Sequence, residues 1–119
     1  MANYVDGFVM PIPRKNTEAY RRVAKALAKI WRAHGALAYV ECIADDVKPG
    51  KWTSFPQAVK LKPGEVVWFS WIVFKSRAHR DRVNAAVMKD PRAQKIMSGP
   101  TTFDGRRMVY GGFKAQVEA

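Results

Sequence analysis

Two histidines and two carboxylates hold most of the chemistry this chain could perform. His34 and His79 are its only imidazoles, and Asp6 and Glu41 are acids set in apolar runs, Tyr4-Val-Asp-Gly-Phe8 and Tyr39-Val-Glu-Cys42. An imidazole titrates near neutrality, and a carboxylate beside it orients the ring or accepts a proton, which is the equipment of general acid–base catalysis. His34, His79, Asp6 and Glu41 are therefore the catalytic candidates. A structural role would satisfy the same four residues. His34 falls at a helix C-terminus, where the dipole favours a cation. His79 falls in a first helical turn, and an arginine or lysine at a sheet edge would pair with either acid. Tyr4, Tyr39, Trp31, Trp71 and Tyr110 are candidates to line an apolar pocket, although aromatic side chains at such positions also build ordinary core.

No two of these histidines and acids stand at helical i, i+4 spacing, so neither a metal site nor a cofactor is expected. Gly111-Gly112 lies late in a strand rather than ahead of a helix, so it is not a phosphate loop. The lone Cys42 rules out an internal disulfide and reads as a packing residue, which suits a reducing, cytoplasmic setting. The first residues lack a basic stretch followed by an apolar one, so no signal peptide is expected.

The elements that must position these residues follow from periodicity. Tyr4–Met10 reads as a first strand, ended by Pro11 and Pro13 because neither can donate to a ladder. A helix runs from Asn16 or Thr17 to His34, with Tyr20, Val23, Leu27, Ile30 and Trp31 recurring on one face and Gly35 as its stop. Ala36–Asp45 is a second strand. A long connection, Asp46–Gly64, contains a short helix beginning near Ser54 and enough apolar residues to pack on something, as a lid or a flap. Glu65–Phe74 is a strand apolar on both faces, with Val67, Phe69, Trp71 and Val73 on one side and Trp68, Ile72 and Phe74 on the other. Ser76 caps a helix to Lys89, which Asp90-Pro91 stops. Arg106–Val117 is the last strand.

The order strand, helix, strand, strand, helix, strand predicts an α+β fold in one domain, residues 1–119. It is the ferredoxin-like βαββαβ arrangement, a four-stranded antiparallel sheet with two helices on one face. Nothing remains in 119 residues to cover the other face of a strand that is apolar on both sides. Exposing it would leave several hundred Å² of apolar surface, more than soluble monomers ordinarily tolerate. A second copy, sheet against sheet, is the expected cover, giving a homodimer. The same topology gathers His34, His79, Tyr4, Asp6, Tyr39, Phe74 and Phe113 at one end, with Glu41 a step further in.

The formal net charge is +11. Because Arg and Lys are spread along the chain, this reads as a solvated surface that binds nucleic acid weakly and in a salt-dependent way, without specificity. No apolar run is long enough to cross a membrane as a helix.

Several segments resemble one bacterial family: Tyr4-Val-Asp-Gly-Phe8, His34-Gly-Ala-Leu37, Tyr39-Val-Glu-Cys42, Ser54-Phe-Pro56, Phe69-Ser-Trp-Ile72, Ser76-Arg-Ala-His-Arg-Asp81, Asp90-Pro-Arg92 and Tyr110-Gly-Gly-Phe113. The family is DUF1428, of the dimeric α/β-barrel superfamily, and the resemblance covers nearly the whole chain. It implies the same dimer and no particular activity. The superfamily includes cofactor-free monooxygenases, muconolactone-isomerase-like proteins and stress-response proteins, with pockets commonly between sheet and helices. The expected function is binding of a small apolar or aromatic molecule in such a pocket, as a cofactor-free monooxygenase or an isomerase. The alternatives are an RNA-binding module and a structural or regulatory dimer without ligand. The third strand lacks the basic-Gly opening of RNA-recognition domains, which argues against the first of these.

Overall fold

The computed structural model describes residues 3–119. Met1 and Ala2, the start of the segment in which no signal peptide is expected, lie outside the described residues. Four strands, β1 (Tyr4–Pro13), β2 (Ala38–Ile43), β3 (Glu65–Phe74) and β4 (Val109–Lys114), form one antiparallel sheet in the order β2-β3-β1-β4. Helices α1 (Thr17–Ala33) and α3 (Arg77–Lys89) are the two crossovers expected of a ferredoxin-like α+β fold. A four-residue helix α2 (Phe55–Ala58) and a seven-residue α4 (Pro91–Met97) complete the helices. No helix among the described residues is long and apolar enough to cross a membrane.

β1 does not stop at its prolines. It pairs with β3 through Pro13, but with β4 only through Val9. Arg14 N–H donates to Gly64 on the β3 side, and donors alternate along a strand. The nitrogens of Pro11 and Pro13 therefore face the side that β4 has already vacated, where no ladder bond is lost. At the other end, Asp104 caps a 3₁₀ turn over Gly105–Arg107 with its side chain, so β4 starts three residues later than expected. Gly35 adopts φ 115°, the left-handed conformation expected of the residue that follows α1. Ser76 caps α3 as expected, and Asp90 caps α4. Asn16 does not cap α1 with its side chain; its amide reaches across to the Thr102 carbonyl instead.

Directly paired residues share a face. On the helix side, β3 presents Val66, Trp68, Ser70, Ile72 and Phe74, all buried. Two apolar clusters form there. One is built on Ile30, Trp31, Phe74, Val83 and Val87, the other on Met10, Ile12, Tyr20 and Trp68. The far side carries Val67, Phe69, Trp71 and Val73 from β3 and Ala38, Val40 and Cys42 from β2. β1 and β4 add Val5, Gly7, Val9, Val109, Gly111 and Phe113. None of these is charged. The thinnest dimension of the molecule is 21 Å, room for one helix layer and one sheet. The Asp46–Gly64 connection lies over one corner of the far side, where Phe55 packs edge-on to Phe69 with ring centroids 5.8 Å apart. The rest of that side is uncovered, and Phe69 and Phe113 are exposed.

Candidate functional site

Glu41 lies on β2 with its side chain under α1. The Tyr20 hydroxyl, from the first turn of α1, donates to Glu41 at 2.9 Å to Oε1 and 3.0 Å to Oε2. Tyr39, two residues earlier on the same face, donates to Oε2 at 2.9 Å. Ser70, directly opposite on β3, brings its hydroxyl beside the same carboxylate. Among the described residues the salt bridges all lie elsewhere, so hydroxyls alone support this charge. Burial raises the Glu41 pKa above the usual carboxylate value, and the three hydroxyls oppose that rise without cancelling it. Burial and the Glu41 charge push both tyrosines far above their ordinary pKa, so they remain donors.

Asp6 is held differently. It is only 5% exposed at the centre of the sheet, and the Arg80 guanidinium from α3 donates to it at 3.0 Å. A second arm of Arg80 reaches the Tyr4 hydroxyl at 3.3 Å, and its Nε lies 2.9 Å from the Asp81 carboxylate. The guanidinium also stacks over the Tyr4 ring. Asn84, one turn along α3, places its amide beside Asp6 and accepts the Trp31 indole N–H at 3.0 Å. Burial raises the Asp6 pKa even with Arg80 beside it.

Between the two acids lies a cavity of about 530 Å³. Phe8 and Ile72 form its floor, Leu27 and Trp31 its roof, and Tyr110 and Phe103 its outer wall. Met10, Met88, Met97 and Met108 also line it, four of the chain's five methionines. Thioethers adapt readily to differently shaped apolar ligands.

The candidates thus separate. Asp6, Glu41, Trp31, Tyr39 and Tyr110 line the cavity, and Tyr4 stands behind it as a partner of Arg80. Trp71 does not line it; the pleat puts it on the far side of the sheet, with Phe113. Neither histidine reaches the cavity. His34 Nε2 sits 2.8 Å from Asp90 Oδ2, and Arg92 donates to the same carboxylate. These bonds tie the end of α1 to the α3–α4 junction and hold the Asp90 pKa well below the usual range. His79 Nδ1 accepts from the Lys75 N–H at 2.9 Å, which needs a neutral ring. Burial, Lys75 and Arg82 hold its pKa below the ordinary imidazole value. The end-of-sheet cluster expected from connectivity therefore divides into two histidines bonded outside the cavity and a separate pair of acids that line it. Among the described residues no three His, Cys, Asp or Glu side chains converge as a metal would require.

The sequence reading missed Arg80, Asn84 and Ser70 and took Tyr20 only as core. Arg80 and Asn84, with Val87 next on that face, are spaced i, i+4, i+7, the signal of an inward-facing stripe that begins polar. Arg80 was hidden among twenty other cations.

A buried acid with a raised folded-state pKa binds its proton more readily folded than unfolded, so its ionisation lowers stability as pH rises. Glu41→Gln removes that term. The melting temperature of the variant relative to the unmodified protein rises between pH 5 and pH 8, by several degrees if ionisation opposes folding by about 1 kcal/mol. A difference that stays flat with pH shows that Glu41 is not destabilised by burial.

Residues 3–105 match the model of a family described as protein of unknown function, DUF1428. The uncharacterized protein YbaA of Escherichia coli strain K12 is 45% identical over 115 residues, 97% of each chain. Among solved structures, a dimeric ferredoxin-like protein from an uncultured marine organism superposes with a TM-score of 0.58 at 11% identity, with all of both chains covered. A conserved protein of unknown function from Bacteroides thetaiotaomicron, described as a possible oxidoreductase, gives 0.55 at 15% identity over 96% of this chain and 97% of its own. At these identities the two structures speak to fold alone. The family match and the 45% identity across the full length go further: this chain belongs to the DUF1428 family.

Proposed function

We propose that this protein is a homodimer in which each subunit binds a small apolar or aromatic molecule in the cavity between sheet and helices, with Glu41 as proton acceptor. The observation that carries this reading is an apolar cavity of about 530 Å³, well within the range of small-molecule sites, with a carboxylate in its wall that no cation among the described residues pairs with. A buried base with a raised pKa is suited to taking a proton from an O–H or an activated C–H near neutral pH. Proton removal is a shared first step for isomerases and for oxygenases that work without a cofactor. The solved neighbour described as a possible oxidoreductase lends that second class some support.

The uncharged far side supports the dimer, as does the neighbour described as dimeric. Two such sheets packed face to face bury the aromatic residues that one subunit leaves open. A sheet displayed to RNA would need cations beside its aromatics, and the strand residues on this side supply none.

Leu27→Trp tests the cavity by filling it. An uncharged naphthalene fluorophore binds the unmodified protein once per subunit, as counted by native mass spectrometry. The variant keeps its circular dichroism and loses at least about 30-fold in affinity, roughly 2 kcal/mol. Equal binding by both proteins would place the ligand elsewhere.

A further inference from the structure

The polar groups in the cavity wall have a direction. The donors around Glu41 are already committed. Tyr20 and Tyr39 donate to it, and the Ser70 hydroxyl lies beside it. Across the cavity, Arg80 donates to Asp6 and Tyr4 and pairs with Asp81, although its Nε makes no hydrogen bond. What remains unfilled at Glu41 is acceptor capacity. A carboxylate offers about four lone-pair positions, and the two tyrosine hydroxyls, in three contacts, leave Glu41 room for one more donor. The charges agree: Asp6 and Glu41 against Arg80 leave the lining at −1 when both acids are ionised. The interior is therefore electronegative inside a chain of net charge +11.

We propose that the ligand is an aromatic molecule bearing a hydrogen-bond donor, a phenol, enol or aryl amine, that gives its O–H or N–H to Glu41, and that carboxylates and phosphates are excluded. This rests on the cavity being the binding site. An anionic group entering here would shed its water beside two carboxylates, in a lining with no net positive field. The basic exterior attracts anions to the surface, but the lining turns them away. A neutral donor meets the open acceptor at Glu41, and its aromatic body fills the space between Phe8 and Trp31.

Three probes of one shape separate the possibilities: 2-naphthol, naphthalene and 2-naphthoate, titrated at pH 7 and followed by Trp fluorescence and calorimetry. 2-Naphthol binds about tenfold more tightly than naphthalene, the value of one hydrogen bond to a charged acceptor. 2-Naphthoate binds at least about 100-fold more weakly than 2-naphthol. In Glu41→Gln the advantage of 2-naphthol over naphthalene shrinks while naphthalene affinity holds. Tyr39→Phe, which keeps the carboxylate and frees one of its lone pairs, retains the advantage. If naphthalene binds but naphthoate equals or exceeds naphthol, the ligand class is wrong and the cavity stands. An unchanged naphthol advantage in Glu41→Gln also overturns the proposal. If none of the three binds, the cavity is not an aromatic site and both readings fall.

Discussion

For the proposed dimer, a Trp71→Glu variant is expected to scatter light as a monomer at concentrations where the unmodified chain scatters as a dimer. Trp71 lies on a central strand and faces away from the helices, with Gly7 and Val40 beside it in the ladder. In the subunit alone that side is open, so a carboxylate there is hydrated and the fold survives. Across a two-fold axis every change occurs twice, once from each copy. An uncompensated charge buried in an apolar interface costs about 3 kcal/mol or more. Two copies together weaken the dimer by about 6 kcal/mol, roughly four orders of magnitude in the dissociation constant. Arg22→Gln, on the exposed side of α1, changes the charge equally and leaves the dimer intact. Retention of a full-strength dimer by Trp71→Glu would show that the uncharged side of the sheet is not the interface.

Arg80→Met destabilises the subunit by about 3 kcal/mol at neutral pH, a large share of a small domain's stability. Arg80 is the only ion-pair partner of Asp6 among the described residues, and Asp6 is nearly inaccessible to water. Removing the guanidinium leaves a carboxylate in an apolar setting with the Asn84 amide as its remaining support. Asp6 escapes by taking up a proton. Its folded-state pKa, already raised, rises further, so the loss of stability grows as pH rises through that pKa and fades below it. Pairing the change with Asp6→Asn removes the stranded charge and recovers most of the loss, as urea unfolding of the four members of the cycle would show. A single-variant loss independent of pH, with no recovery in the double variant, would mean that Arg80 acts by packing over Tyr4 rather than by charge.

Much of the architecture was legible because it depends on local chemistry and alternation. Glu65–Phe74 announces a strand apolar on both sides, and its pleat assigns Trp71 and Trp68 to opposite faces. Ser76 and Gly35 mark helix ends that the structure keeps. The prolines of β1 were misleading because their effect depends on which neighbour lies beside them, and β4 stops opposite Val9. The acids were legible as unusual strand residues. Their partners were not, because Arg80 is 74 residues from Asp6 and Tyr20 is 21 from Glu41. The placement of the histidines was not legible either. Their residue type suggested chemistry, while the structure keeps both out of the cavity and bonds them to the Lys75 N–H and to Asp90.

Residue order alone determined the strand and helix sequence, the sheet class and the presence of an uncharged second face, because capping, alternation and burial are short-range rules. Only the tertiary structure decided which carboxylate received a cation and which received hydroxyls. That choice turns on a few ångströms between side chains brought together from distant parts of the chain, and it makes one acid a braced core residue and the other an open acceptor in the cavity wall.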